Sequence, residues 1–325
     1  MRLVFFLFEM GMELDLVHSW FWCFVRCMRG CRDLERRMMI ERVSHWLFFC
    51  AALIAIGVTF GILIFIFVRG LAPFVPWNRF GSYEVMDFVV GDVWRPRFGE
   101  FGIGYMILSS LVATFKATLI SVPISVMLAI FVVEFVPRSV AVLLEFVIEV
   151  FAGIPSIFYG IFGFVLVMPL IEWISPYASG DSMLAVVIVL VIMIVPTVTL
   201  VSIGSLRAVP MRYREASLAL GASKVQNVFK VMLPAAHSGI MAGILIGAGR
   251  VIGETMAVTL VSGNSEGGVP RTIFDSVRLL TANIALEQSY AADLHEQMLW
   301  ATAMVLVIFV VIINFVLRWI ERSVD

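Results

Sequence analysis

The sequence predicts an all-α integral membrane protein with six transmembrane helices. Three observations carry the prediction. The 325 residues are 61% hydrophobic and 14% charged, with a mean hydropathy of +1.00, a balance that soluble domains do not reach. The apolar residues gather into runs of about 20 or more, the length a bilayer crossing requires. Lys and Arg are spread unevenly over the polar connections, as membrane topology demands. Net charge is −1, and no basic run points to nucleic acid.

Residues 1–43 precede the first good run. Leu3 to Phe8 is apolar, but Glu9, Glu13 and Asp15 interrupt it, and each acid costs about 2.5–3.5 kcal/mol at mid-bilayer. No small-residue cleavage site follows, so the segment is not a clean signal peptide. Arg26, Arg29, Arg32, Arg36, Arg37 and Arg42 then crowd ahead of the first span. Two readings stand side by side. One is a basic cytoplasmic arm over residues 1–43, with an interfacial helix. The other is a translation start at Met38 or Met39, which leaves the first 37 residues outside the native protein. Cys23, Cys27, Cys31 and Cys50 all lie in or before the first span, which argues against an extracellular disulfide framework. The first three are four apart, a spacing that matches no common metal-ligand motif.

Six spans follow, over His45–Val68, Gly104–Val133, Val140–Ile171, Met183–Ile203, Gly239–Val261 and Met298–Ile320. With their connections they make one domain over residues 44–325. The third is too long for one straight crossing at about 1.5 Å per residue, so Gly153, Pro155 and Gly160 are expected to break or bend it. Pro123 and Pro196 read as kinks. Trp46, Trp173, Trp300 and Trp319 fall near expected interfaces, as aromatic belts do. The connection Ser205–Ser238 carries Arg207, Arg212, Arg214, Lys224 and Lys230 against Glu215 alone. Gly263–Gln297 holds Arg271 and Arg278 against Glu266, Asp275, Glu287, Asp293 and Glu296, and Glu172–Ser182 has no basic residue. This asymmetry places both termini and the 205–238 connection in the cytoplasm.

Function is sought at the polar residues inside the spans, because an ionised side chain in a bilayer is expensive and faces a cavity or a partner. Arg250 and Glu254 are four apart in the fifth span and are expected as neighbours on one helix face. They read as a structural ion pair or as an oxyanion contact. In the second case the planar guanidinium grips the anion, and Glu254 holds Arg250 or accepts a proton the substrate still carries. Gly247, Gly249 and Gly253 are expected to let other helices approach closely. Glu145 and Glu149 share a face and can reach the interface, pair with Arg138, or pair with Arg250. Pro155 frees a helix carbonyl, and a break there suits a cavity wall better than a lipid-facing surface. Lys116, flanked by Thr114 and Thr118, reads equally as a lysine paired with an acid and as a pathway residue. Val269–Glu287 is amphipathic rather than spanning. Arg271 and Arg278 there read as a solvated or subunit-contacting face, or as an outer rim for an anion. His18, His45, His237 and His295 form no ligand or nucleophile arrangement. There is no GxxxxGK[ST] phosphate loop, so any ATPase must be another chain.

Glu215–Pro234 reads EASLALGASKVQNVFKVMLP. Gly221 can take a positive φ, and Pro234 suits the first turn of a new helix. The stretch therefore predicts helix, sharp turn, helix and membrane entry. It resembles the EAA loop of ABC importer permeases: EAA, three residues, Gly, nine residues, I-x-L-P. Ser217 stands for the last Ala and Val231 for the Ile. Glu149–Gly160, EVFAGIPSIFYG, is similar to the ELLAGIPSVVYG stretch of phosphate permeases, and Arg250–Thr255 to their R-x-IGET motif. Gly91–Pro96 and Leu280–Glu287 are similar to segments of PstC-type subunits. The resemblance covers about residues 39–322.

That resemblance implies the type I (MetI-like) ABC importer fold with a cytoplasmic coupling-helix loop over residues 215–234. It implies the permease subunit of an ATP-driven importer that moves inorganic phosphate across the cytoplasmic membrane. The partners implied are a PstA-type second permease, a PstB-type ATPase dimer that binds the ATP and Mg, and a PstS-type extracytoplasmic phosphate-binding protein. No cofactor is expected in this chain. Arg250 and Glu254, and more weakly Arg278, are the implied transport-path residues. Glu215, Ala216 and Gly221 are the implied ATPase contacts. A PstA-type role, another oxyanion (sulfate, molybdate, tungstate) and a membrane scaffold or phosphate sensor without its own path stay open. An intramembrane enzyme lacks a nucleophile–base set. Arg250 follows Pro234 by about 16 residues, or ~24 Å at helical rise, so the fifth span is expected to carry ATPase motion to the path.

Overall fold

The computed structural model describes residues 34–76, 78–175 and 179–324. The first helix, α1, runs Leu34–Leu71. It contains the first expected span and the last part of the expected arm. The rest of the arm, with Cys23, Cys27 and Cys31, lies outside the described residues. Trp46, Phe48, Ile54, Phe60 and Ile64 of α1 are all exposed, so the helix is apolar all round, as a membrane span is.

From residue 66 onward the chain forms a second compact unit. A short helix α2 (Val85–Val90) leads into a two-residue hairpin, β1 (Trp94–Arg95) against β2 (Glu100–Phe101). Then α3 runs Gly104–Ile130 and continues through a π-helical turn, Phe131–Phe135. Next come α4 (Arg138–Gly153), α5 (Ser156–Phe162), a second π-helical turn (Gly163–Val167) and α6 (Met168–Ile174). The helix α7 spans Met183–Ala208. Three short helices follow, α8 (Met211–Ala219), α9 (Lys224–Asn227) and α10 (Leu233–Ala235), the last two joined by a third π-helical turn, Val228–Met232. The chain ends with α11 (His237–Ile252), α12 (Met256–Val261), α13 (Leu280–Glu287) and α14 (Asp293–Val324).

Among the described residues, five helices are long and apolar enough to cross a membrane, and six if the pair Lys224–Ala235 and His237–Ile252 is one bent span. The expected six is met with the bent pair taken as one span, and two boundaries differ. The third crossing is Ser156–Ile174, not Val140–Ile171. Residues 138–153 form the separate helix α4, because Pro155 cannot donate an N–H and holds Ile154 extended (φ −63°, ψ 130°). The carbonyl that Pro155 frees belongs to Phe151, and the buried Tyr159 hydroxyl donates to it at 2.6 Å. Gly160 does not break the chain. A Cβ there would lie 2.8 Å from the Ala257 Cα, so the glycine lets α5 press against α12. Pro123 and Pro196 sit inside unbroken helices.

The fifth crossing also departs from its expected limits, Gly239–Val261. It ends at Ile252, and α12 starts afresh at Met256. Its approach from α10 bends by 70°. At the centre of the unit, α7 is buried along Met183, Leu190, Met193, Ile194 and Val198. The helix α11 lies against it through Gly239, Gly243 and Gly247, where added Cβ atoms would meet Ser205, Val201 and Val198 at 2.3, 3.1 and 2.7 Å. Small residues at this spacing let two helix backbones approach closely. Of the three glycines expected to do so, Gly247 does. Gly249 faces open space, and Gly253 looks onto its own chain.

Candidate functional site

At one end of the bundle, the 211–235 segment is a helix–turn–helix. Gly221 takes φ +85° between α8 and α9, as expected. The second helix is closed by a capping box: the Gln226 N–H donates to Ser223 Oγ at 3.2 Å, and the Ser223 N–H to Gln226 Oε1 at 2.9 Å. Pro234 falls in the short α10, and the long helix begins only after the bend, at His237. Glu215 and Ala216 are exposed on α8. Beside them Met211, Leu218 and Leu220 are exposed too, Leu220 at 90%. An apolar patch on an otherwise polar helix marks a protein-contact surface. The sequence reading missed Leu220, which stands immediately before the turn glycine.

The intramembrane site is built where α11 stops. Arg250, one turn from the end, donates through Nη1 to Thr197 Oγ1 of α7 at 2.9 Å. Among the described residues this is its only hydrogen-bond partner, which leaves the rest of the five guanidinium N–H donors uncommitted. Glu254 does not share a helix face with Arg250, and no ion pair joins them among the described residues. Gly253 ends α11, and the buried Glu254 carboxylate turns forward, where its Oε1 accepts the Ala257 N–H at 3.0 Å. A carboxylate just ahead of a helix N-terminus satisfies an orphan donor and suits the helix dipole, which favours the restart of α12 there. The Glu254 carbonyl oxygen accepts from Thr281 Oγ1 at 2.7 Å. Its second carboxylate oxygen has no hydrogen bond among the described residues.

The other candidates divide. Glu145 pairs with Arg207, whose Nη1 donates to Oε2 and Nη2 to Oε1, and not with Arg138 or Arg250. Glu149 is exposed. Lys116 is half-buried near the middle of α3 and has no partner acid among the described residues. The Val269–Glu287 segment divides: Val269 and Arg271 to Ile273 are exposed, as a solvated face would be, and the later part is not. Only Leu280–Glu287 is helical, and Leu280 to Asn283 are buried. Arg278, 6% exposed, donates to the Asn264 carbonyl from Nε and Nη2 at 3.1 and 2.8 Å, and from Nη1 to Asn283 Oδ1 at 3.2 Å and Glu287 Oε1 at 3.1 Å. Glu287 in turn lies 3.3 Å from His295 Nε2. The chain turns back to make this contact through Asn264 (φ +52°) and Gly268 (φ +93°).

Apolar helices long enough to cross a membrane, with an exposed helix–turn–helix at one end and an arginine in the last turn of α11, make up a multi-pass membrane protein. The family described as "Binding-protein-dependent transport system inner membrane component" matches residues 106–325, and the chain belongs to it. It is 31% identical over 291 residues to the "Probable ABC transporter permease protein YqgH" of Bacillus subtilis (strain 168), covering 88% of this chain and 93% of that relative. To the "Phosphate transport system permease protein PstC" of Pasteurella multocida (strain Pm70) it is 29% identical over 288 residues, covering 82% of this chain and 89% of the relative. A chain from a solved bacterial ABC transporter involved in the import of the acidic polysaccharide alginate matches with a TM-score of 0.59 at 14% identity, over 89% of this chain and 99% of its own. That last likeness is one of fold alone. The fold is thus the MetI-like ABC permease fold, and membership of the family implies an ATPase and a substrate-binding protein as partners.

Proposed function

We propose that this chain is the PstC-type permease subunit of an ATP-driven importer that moves inorganic phosphate across the cytoplasmic membrane into the cell. The observation that carries the reading is Arg250: a guanidinium inside the membrane, held by one hydroxyl, with its other donors free for an oxyanion. Glu254 favours phosphate over sulfate in this reading. Its uncommitted carboxylate oxygen can accept the proton that phosphate still carries, whereas a fully ionised tetrahedral anion offers only repulsion. Arg278 stands at the mouth of the path and anchors the 263–287 segment. The basic 205–238 connection and both termini face the cytoplasm. There Glu215, Ala216 and Gly221 meet a PstB-type ATPase dimer, which binds the ATP and Mg. A PstA-type permease completes the path, and a PstS-type binding protein delivers phosphate from outside.

The test is Arg250→Gln in the whole transporter. Assembly with the partner subunits stays normal, and phosphate uptake into vesicles is lost. Normal uptake in that variant would remove the path role and favour a scaffold or sensor. Competition by sulfate, molybdate and tungstate assigns the anion.

A further inference from the structure

The fifth crossing bends by 70° before it reaches the helix–turn–helix, so it does not meet the loop as a straight rod. The loop is held elsewhere. Glu134 lies in the π-helical turn that ends α3, with its side chain 1% exposed. Arg214 of α8 brings Nη2 to 2.8 Å from Glu134 Oε2. The contact is ionic rather than a well-aligned hydrogen bond, since among the described residues neither Glu134 oxygen has a hydrogen-bond partner. On the next residue, Lys224 of α9 places Nζ 5.2 Å over the Phe135 ring. Both arms of the helix–turn–helix thus grip adjacent residues of one turn. Val132 of that turn shares a core cluster with Val228 and Met232 of the loop's exit, which is itself π-helical. π-Bulges inside helices mark functional sites more often than ordinary turns do.

The energetics favour a clamp. A buried carboxylate is costly to leave without its cation, so Glu134 and Arg214 move together. Asn227, in α9, is fully buried, and neither of its side-chain polar atoms has a hydrogen-bond partner among the described residues.

The far half of α3 leads to the intramembrane site. Ser110 Oγ accepts the Leu280 N–H at 3.2 Å, and the neighbouring Thr281 donates to the Glu254 carbonyl at 2.7 Å. A contiguous chain of contacts therefore runs from Arg214 through Glu134 and α3 to Ser110, Leu280, Thr281 and Glu254.

We infer that Glu134 is a positioning residue that clamps the helix–turn–helix to α3, so that movement of the loop is delivered into the second crossing and through it to Glu254. The inference rests on the reading of the loop as the ATPase contact. Its test uses the complete transporter, with both permeases, ATPase and binding protein, in vesicles. Glu134→Gln and Arg214→Gln each insert and co-purify with the ATPase, but the phosphate moved per ATP hydrolysed falls about tenfold, the usual size of a coupling term. Arg214→Lys keeps most of the coupling, because the charge stays. The exchange Glu134→Arg with Arg214→Glu recovers coupling relative to either single exchange. Wild-type coupling in both Gln variants would overturn the inference. So would equal losses in Arg214→Lys and Arg214→Gln, or a loss of ATPase co-purification as large as the loss of uptake. If wild-type vesicles hydrolyse ATP in response to the binding protein yet move no phosphate, the substrate reading fails by itself. The clamp is then read from that stimulation, which the Gln variants lose by the same factor.

Discussion

Substitution at Gly221 isolates the turn from everything around it. The residue sits at φ +85°, and nothing lies within 4 Å of where a Cβ would stand. The cost of replacing it is therefore that of the backbone conformation, with no clash against other residues. Alanine carries the left-handed penalty of about 1–2 kcal/mol. Asparagine, which visits that region more readily, carries less. Proline is fixed near φ −65° and cannot adopt the turn at all. It also removes the N–H that donates to the Leu218 carbonyl at 3.0 Å, a further ~1 kcal/mol. The expected order of ATP-driven uptake is Gly, then Asn, then Ala, with Pro inactive. Insertion stays equal across the series, because the crossings are untouched. Uptake by vesicles, normalised to the amount of inserted permease, reads the order. Retained uptake in Gly221→Pro, or an alanine variant worse than proline, would refute the reasoning.

Other substitutions test the packing that supports the site. Gly247→Leu forces side-chain atoms into the 2.7 Å gap to Val198 Cγ2 and should cost about 1–3 kcal/mol, seen as a lower unfolding temperature in detergent. Arg278→Met leaves the buried Glu287 without its cation and should cost about 3–5 kcal/mol, whereas Arg271→Gln, at an exposed position, should leave thermal unfolding unchanged.

Several features were legible because they depend on neighbours in sequence. The number of crossings follows from apolar run length. The turn at Gly221 follows from one glycine between two short polar helices. The break at Pro155 was expected from the proline, although its consequence for the span limits was not; the break at Gly253 was missed. Apolar residues flank both breaks, so the third and fifth spans were drawn as continuous runs and too long. Glu254 was misplaced for the same reason: four residues of helical spacing set it beside Arg250, but its carboxylate captures the Ala257 N–H and starts a new helix. Glu134 carried one usable signal, an acid at the end of an apolar run beside a basic connection. Its partner could not be named from that.

The permease class rested on the resemblance carried by residues 215–234; by itself the sequence determined that this is a membrane protein, where its apolar runs lie, and which connection carries the helix–turn–helix. Those properties are sums over contiguous residues: apolar length, charge bias and a glycine at one position. Only the tertiary structure decided the pairings. Arg214 meets Glu134, Arg207 meets Glu145, Arg278 turns inward to Glu287, and Arg250 is left with a single hydroxyl. Charges attract over a few ångströms, and which of them come that close depends on how the helices bend and pack, a matter on which spacing along the chain is silent.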